Sequence, residues 1–310
     1  YFTWISGVAL LFIVYYFNAG AMLIDKNIAA ISTGAGILIG IGSMLVGWFI
    51  YDMLCKTPLV KTGIWFAFLG FILSAALAWF LTHIFNSRAA YIHFGAVLGT
   101  LMAGNVFFVI IPSQKAMVKA AKEGKPLDPA LGKHAGLRSL HNNYLTLPVL
   151  FVMISNHFPS TFGHGWNWAI LAAIALASAI IKHFHNLYEK GQTAVWLLPL
   201  GFGMLLALVF VTAPEMNKGA CKEQVSFAQI HAIVNERCIS CHSSQPTDEL
   251  WSAPPNGVKY DTPQEIVNMK DKIMQRVVLT KTMPQNNKTG MLPEERELLR
   301  CWIEQGAKIE

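Results

Sequence analysis

The chain has 310 residues, of which 54% are hydrophobic and only 14% are charged, and its mean hydropathy is +0.42. A soluble globular domain rarely has so few charges, so the composition predicts an integral membrane protein. The net charge is +6, but residues 1–220 carry +7 and residues 221–310 carry −1. The positive charge therefore belongs to the apolar part, where membrane loops account for it, and no nucleic-acid partner is indicated.

Seven apolar stretches before residue 214 are long enough to cross a bilayer as helices. They cover residues 3–24, 28–51, 63–86, 89–112, 138–158, 165–186 and 193–213. Residue 1 is Tyr and lies beside an apolar run, so we expect at least one earlier helix. The predicted fold class is all-α: a polytopic transmembrane helix bundle of about seven spans, followed by a small helical domain.

Basic residues orient this predicted bundle. With seven spans, the loops 52–62, 113–137 and 182–192 share one side of the membrane. These loops and the adjoining residue 138 carry Lys56, Lys61, Lys115, Lys119, Lys122, Lys125, Lys133, Arg138, Lys182 and Lys190. The opposite loops carry only Lys26 and Arg88, so the first set is predicted to be cytoplasmic. The chain is thus predicted to cross a bacterial inner membrane, with everything after residue 213 in the periplasm.

The chain after the last span predicts a linker over residues 214–220 and a small helical domain over residues 221–310. Ser226 is placed to cap one helix, and a capping box that starts at Thr262 begins a second, which we expect to run to residue 279. Pro293 opens a third helix, which Gly306 can end.

The pentapeptide CISCH, residues 238–242, is the attachment motif of a c-type haem. Cys238 and Cys241 would bind the porphyrin through thioethers, and His242 would ligate the iron. The alternatives are half of a zinc site or a thioredoxin-like redox pair. Zinc needs two further ligands at matching spacing, whereas Cys221 and Cys301 lie singly and far away. The motif therefore predicts one covalent haem and a cytochrome c domain.

Met283 is the predicted sixth iron ligand, since it lies 41 residues after His242 in a loop and precedes a proline. Met269 and Met274 fall within the second predicted helix, where core packing is the more ordinary role. Met291 is a further loop candidate. The metal ligands predicted from the sequence are thus His242 and Met283.

The remaining cysteines are assigned by compartment. Cys221 and Cys301 would both lie in the oxidising periplasm, where a disulfide and two unpaired buried thiols are both open. Cys55 falls in a predicted cytoplasmic loop and should stay reduced.

Three stretches carry a family resemblance. They are "AAYIHFGAVLGTLMAGNVFFVIIP" at residues 89–112, "RSLHNNYLTLPVLFVMISNHFPSTFGH" at 138–164, and "TKTMPQNNKTGM" near the C-terminus. The chain closely resembles the bacterial membrane-bound urate hydroxylase family, in which a transmembrane urate oxidase domain precedes a cytochrome c domain. That family usually has a further N-terminal segment with at least one more helix.

The resemblance implies that urate is oxidised to 5-hydroxyisourate. The electrons would pass to the c-type haem and on to the respiratory chain, instead of reducing oxygen directly to peroxide. The implied partners are urate, the lipid bilayer, and a soluble or membrane cytochrome c or terminal oxidase that accepts the electrons.

Histidines and amides within membrane spans are candidate site residues, because unsatisfied polar groups are costly in hydrocarbon. The outer set is Asn18, His83, His93, Asn156, His157 and His164, and the inner set is Asn105, His141, Asn142, Asn143, His183 and His185. Hydrogen bonding between helices is the ordinary role for any one of them. The candidate catalytic residues are His83, His93, His157, His141, Asn142 and Asn143.

A span of about 20 residues rises about 30 Å, so an inner site would be far from a periplasmic haem. We therefore expect the outer histidines to matter more, unless a second redox centre bridges the membrane. Such a centre would be a b-type haem held by two of the histidines His83, His93, His157, His141 and His183. A copper site is less well supported, because no dense cluster of ligands is present.

The chemistry of urate favours a neutral histidine as a base that assists electron loss, with amides orienting the purine. Two other classes of function remain open. In the first the chain would be an electron-transfer subunit of a respiratory complex without catalysis of its own, and in the second a dehydrogenase for another reductant. Turnover of urate by the isolated protein excludes the first, and substrate-dependent haem reduction discriminates the second.

Overall fold

The computed structural model describes residues 2–213, 221 and 223–309, and the chain divides into two compact units, Tyr1–Thr212 and Ala213–Glu310. The predicted linker 214–220 lies outside the described residues. Within the described ranges every regular element is helical, and no strand is found. This part of the predicted fold class, an all-α protein, is confirmed.

Unit 1 is built from ten α-helices over its described residues. They are α1 (Phe2–Leu11), α2 (Ala19–Met22), α3 (Thr33–Lys56), α4 (Ile64–Thr82), α5 (Ser87–Gly104), α6 (Ile111–Lys122), α7 (Pro129–Ile154), α8 (Pro159–Phe162), α9 (Asn167–Tyr188) and α10 (Leu197–Val211). A π-helical turn, Phe12–Tyr16, extends α1, and another, Asn105–Ile110, joins α5 to α6. Residues 87–122 therefore form one continuous helical segment.

Four helical segments of the described chain are long and apolar enough to cross a membrane: Thr33–Lys56, Ile64–Thr82, Ser87–Lys122 and Asn167–Tyr188. This is fewer than the seven predicted spans. Phe2–Tyr16 and Leu197–Val211 are apolar but shorter than a full span. The fifth predicted span begins nine residues early, as α7, which carries a polar group of side chains that lowers its hydropathy.

Two predicted boundaries were wrong for identifiable reasons. The first predicted span, 3–24, is interrupted at Asn18, whose backbone leaves the helical region at φ −114° and ψ 40°. The predicted loop 113–137 is largely helical, because α6 continues through a run of Ala and Lys that favours helix, and α7 starts at Pro129 after an Asp128 cap.

Helices of unit 1 approach one another closely at glycines, as is common where transmembrane helices pack. A Cβ added at Gly40 of α3 would lie 2.6 Å from the Tyr16 hydroxyl, and one added at Gly95 of α5 would lie 2.5 Å from Val152. At Gly104, where α5 ends, the added Cβ would lie 2.5 Å from the Trp48 ring of α3. These contacts fix the spacing of α3, α5 and α7, which carry the polar residues described below.

Unit 2 contains α11 (Phe227–Arg237), α12 (Pro263–Asn268), α13 (Lys270–Ile273) and α14 (Pro293–Glu304) in its described part. The predicted starts are confirmed: Ser226 and Gln229 form a capping box at α11, and Thr262 and Glu265 form another at α12. The predicted helix 262–279 is instead divided into α12, α13 and a π-helical turn, Met274–Leu279.

A disulfide joins Cys221 to Cys301 of α14, with the two Cα atoms 5.5 Å apart. The choice left open by the sequence is thereby resolved in favour of the bridge. Cys55 is buried and free. The bridge closes a loop of 80 residues around the apolar core of unit 2, which includes Trp302 and Ile230. Constraining so long a loop destabilises the unfolded chain.

The contact between Gly104 and Trp48 predicts a stability difference within α5. Gly104→Ala should destabilise unit 1 by about 1–3 kcal/mol, because the new methyl group overlaps the indole ring. Gly99→Ala is the matched control, since it adds the same methyl to the same helix where no atom lies within 4 Å. Thermal unfolding in detergent should show a lower midpoint for Gly104→Ala alone. Equal midpoints would contradict the predicted packing.

Candidate functional site

Arg138 of α7 is the most deeply buried charged side chain described in unit 1, with 0% of its surface exposed. Its Nη2 donates to Oδ1 of Asp52 on α3 at 2.6 Å, and its Nη1 donates to Oδ1 of Asn105 at 3.1 Å. The guanidinium also lies 5.1 Å from the centroid of the Tyr51 ring. Its Nε is buried and has no partner among the described residues.

Asn105 extends these contacts to a second group of residues. Its Nδ2 donates to the Tyr51 hydroxyl at 2.9 Å and to Oδ1 of Asn142 at 2.8 Å. The Tyr51 hydroxyl lies 2.8 Å from Nδ1 of His141. When the ring proton of His141 is on Nε2, the Tyr51 hydroxyl donates to Nδ1 while it accepts from Asn105.

We call this set the Arg138 network; it comprises Tyr51, Asp52, Asn105, Arg138, His141 and Asn142. The sequence builds it simply: positions 138, 141 and 142 share one face of α7, because residues three and four apart are neighbours on a helix. Asn105 begins the π-helical turn between α5 and α6, and such turns are frequent at functional sites. Asn143 is rotated away from this face, and its buried Oδ1 has no partner in the described chain.

His93 of α5 lies in a second polar group, which we call the His93 cluster and define by His93, Tyr16, Gly40 and Phe85. His93 is fully buried, its Nδ1 lies 2.8 Å from the Ala89 carbonyl, and its Nε2 lies 3.1 Å from the Tyr16 hydroxyl. The Phe85 ring is 4.7 Å away. Both ring nitrogens are therefore engaged within unit 1.

The other predicted histidines have separate surroundings. His83 is exposed at the end of α4, where its ring lies 4.5 Å from that of Trp79, and His157 is exposed in a short 3₁₀ turn. His183 is exposed, and its Nδ1 lies 2.6 Å from the Tyr144 hydroxyl. None of the contacts described in unit 1 pairs two of these histidines. A b-type haem between two histidines stays a prediction.

The CISCH motif of unit 2 follows α11 directly. Cys238 and Cys241 are free thiols, and Nδ1 of His242 lies 3.0 Å from the Val258 carbonyl. This contact places the Nδ1 proton and leaves Nε2 as the nitrogen with a lone pair for a metal. Burial and the neighbouring Cys241 thiol raise the pKa of Cys238 to about 12, and burial also raises the pKa of Cys241. Both thiols are protonated at neutral pH.

Arg237 anchors this motif to the rest of unit 2. Its guanidinium donates to both carboxylate oxygens of Glu295 on α14, at 2.9–3.0 Å, and to the Thr289 carbonyl at 2.6 Å. Burial by itself raises the pKa of Glu295, but the hydrogen bonds and charge of Arg237 outweigh it and hold that pKa below its usual range. The residue before Cys238 is therefore tied to the final helix.

Met283 is half-buried and packs against the same apolar core as Cys238. Arg296 holds the loop that carries it, donating from Nη1 to the Met283 carbonyl at 2.7 Å and from Nη2 to Oδ1 of Asn287 at 3.3 Å. Met291 is only 3% exposed and belongs to the core itself. Among the two loop methionines, Met283 is thus the one left at the edge of the core.

The apolar part of the chain matches a known protein family. The family model described as urate oxidase N-terminal matches residues 1–213. The chain belongs to this family. No curated protein and no solved structure matches it. Membership of the urate oxidase N-terminal family indicates an oxidoreductase that acts on urate, and the match contains the whole Arg138 network and the His93 cluster.

Several residues that organise the site in this urate oxidase family member were not among the sequence candidates. Arg138 was assigned only to the basic side of the membrane, and Tyr51 and Asp52 were not singled out. The available signal was an acidic residue at the end of one predicted span and a basic residue at the start of another. Such residues pair inside membranes more often than they remain alone.

No group of three or more His, Cys, Asp and Glu side chains able to hold a metal ion occurs in the described chain. A c-type haem needs no such group, because the porphyrin supplies four iron ligands and the protein supplies two. His242 and Met283 accordingly remain the residues to test.

Changing Met283 or Met291 to alanine should have opposite effects on the sulfur-to-iron absorption band of the haem-loaded protein. Met283→Ala should remove the near-infrared sulfur-to-iron absorption band of the oxidised protein, because this half-buried loop residue is the predicted sulfur ligand. Met291→Ala should keep the band but lower the unfolding temperature, because it leaves a cavity in the core. A band that survives Met283→Ala and disappears in Met291→Ala would reverse the assignment.

Proposed function

We propose that the chain oxidises urate to 5-hydroxyisourate at the membrane and passes the electrons to a c-type haem bound covalently by unit 2, then to the respiratory chain. The family match over residues 1–213 is the observation that supports urate as the substrate. The CISCH motif in the same chain, with two free thiols and an oriented histidine, supports the acceptor. One polypeptide would thus combine the urate-oxidising part with its electron acceptor.

The balanced reaction defines what the protein must provide. Urate and one water give 5-hydroxyisourate, two protons and two electrons, with the water oxygen becoming the new hydroxyl. No oxygen molecule is consumed in this half-reaction, and no peroxide is formed. The polypeptide must bind the purine, take up the protons and direct the electrons to the acceptor.

The residues of unit 2 fit a c-type haem. Cys238 and Cys241 would hold its two vinyl carbons, while His242 and Met283 would supply the axial ligands. When bound, a haem with these ligands accepts one electron at a time at a relatively high potential. The hydrogen bond to the Val258 carbonyl fixes the ring of His242, and Arg296 fixes the loop of Met283.

The Tyr51–His141 pair is suited to take up a proton. The Tyr51 hydroxyl can accept a proton from a purine nitrogen or from water while it passes its own proton to Nδ1 of His141, 2.8 Å away. Asn105 donates to the same hydroxyl and stabilises the negative charge that develops on its oxygen. These residues would make loss of an electron from urate easier by removing its proton.

The cellular setting follows from the same proposal. Apolar helices long enough to cross a membrane support a location of unit 1 in the bilayer, and the basic side predicted from the sequence would face the cytoplasm of a bacterial inner membrane. Unit 2 would then lie in the periplasm. A soluble or membrane cytochrome c, or a terminal oxidase, would accept its electrons there.

The double change Cys238→Ser and Cys241→Ser tests the link between haem and catalysis. It should abolish covalent haem and bring urate consumption to background, because the electrons lose their acceptor. Haem staining after denaturing electrophoresis and the loss of urate absorbance measure the two effects.

Ser240→Ala is the matched control, since it changes the motif without removing a thioether or an iron ligand. It should retain haem and activity. Undiminished urate consumption by the double variant, with stoichiometric peroxide formed in air, would contradict the proposal and indicate direct transfer to oxygen.

A further inference from the structure

We propose that the Arg138 network is the binding site for the urate anion, an inference that rests on the proposed function and names its substrate site. At neutral pH urate is a planar monoanion with alternating nitrogen and carbonyl groups along its edges. A site for it requires positive charge, unused hydrogen-bond donors and flat apolar or aromatic surfaces. The Arg138 network has all three features.

The first feature is an excess of positive charge. Oδ1 of Asp52 lies 2.6 Å from Arg138, and its Oδ2 lies 2.7 Å from Nζ of Lys56. One carboxylate therefore faces two cations. Water can solvate Lys56, whose side chain is 58% exposed, but it cannot reach Arg138, which is 0% exposed. A bound anion would balance the charge that Asp52 must otherwise share.

The second feature is an unused donor. A guanidinium offers five N–H groups in a rigid fork, which suits the paired acceptors of a carboxylate or a purine edge. The described contacts engage Nη1 and Nη2, whereas the buried Nε has no partner. A buried donor without an acceptor is costly, so this group is an indication of a ligand.

The third feature is aromatic surface. The Phe66 and His141 rings are stacked, with centroids 4.9 Å apart and planes 13° from parallel. The Tyr51 ring packs against both Arg138 and His141. Flat rings and a guanidinium are the surfaces on which a purine binds with little loss of conformational freedom. The proton-accepting Tyr51–His141 pair is then next to the substrate.

The His93 cluster has neither an excess of positive charge nor an unused hydrogen-bond donor. Both ring nitrogens of His93 are engaged, and the cluster as defined has no charged member. This comparison favours Arg138 over the outer histidines, which the sequence had ranked first. A purely structural role for Arg138, joining α3 and α7 through Asp52, is the alternative that an experiment must exclude.

The test is equilibrium dialysis of radiolabelled urate against the full-length, haem-loaded protein, kept anaerobic and fully reduced so that urate binds without being oxidised. Arg138→Gln should weaken binding by about 10- to 100-fold, the effect of losing a charge-assisted, forked contact. Arg88→Gln is the matched control, because Arg88 lies in the same unit against the Phe162 ring, away from the network. It should bind as the wild type does.

Asp52→Asn separates binding from structure, even if Arg138→Gln fails to fold. It breaks the same ion pair but leaves the positive charge of Arg138, so urate should bind at least as tightly as to the wild type. Weaker binding by a folded Asp52→Asn protein would indicate a structural pair and overturn the inference. Unchanged binding by Arg138→Gln, or displacement of urate by equimolar inorganic phosphate, would overturn it as well.

The same measurement distinguishes this inference from the function on which it rests. A wild-type protein that binds no urate would remove the proposed function. A wild-type protein that binds urate, together with an Arg138→Gln variant that binds it equally well, would leave the function standing and exclude only this site.

Discussion

Arg138 places a permanent positive charge where its side chain has no exposed surface, and a charge in that setting must be matched by nearby groups. Asp52 of α3, Asn105 beside α5 and the Tyr51 ring supply the match. The charge therefore fixes how α3, α5 and α7 pack, and the glycines of α3 and α5 let those helices approach closely enough to reach it. The same constraint creates the polar surroundings in which urate chemistry is proposed to occur.

Local sequence signals predicted much of the secondary structure. The cap at Ser226 and the capping box at Thr262 were identified correctly because each depends on residues close together in the sequence. Apolar stretches located the helices of unit 1, but they did not predict the break at Asn18 or the extension of α6. An apolar stretch indicates which residues can lie in lipid, whereas a helix can continue into polar residues that favour helix, such as the Ala and Lys residues of α6.

The candidate site was harder to predict, because its contacts join residues distant in sequence. Arg138 and Asp52 are 86 positions apart, and Asn105 and Arg138 are 33 apart. A single sequence gave the polar residue types, and three of the inner candidates, Asn105, His141 and Asn142, do belong to one network. It could not pair them, and His83 and His157 proved to be exposed and separate. Asn143, beside Asn142, faces elsewhere on the helix.

The proposed chemistry requires electrons to pass from unit 1 to the haem of unit 2. Along the continuous helix 87–122, His93 and Asn105 are twelve residues apart, or about 18 Å. A purine at Arg138 would therefore be well separated from the end of the bundle that is predicted to face the periplasm, and a second one-electron carrier in unit 1 would shorten the transfer. The b-type haem considered from the sequence is one such carrier.

Anaerobic titration of the oxidised, haem-loaded protein with urate tests the central claim most directly. The account predicts that urate alone reduces the c-type haem, as seen by the rise of its sharp reduced absorption band. Because each urate delivers two electrons, the end point is half a urate per chain for one haem and one urate per chain with a second carrier. A c-type haem that stays oxidised in excess urate would contradict the account.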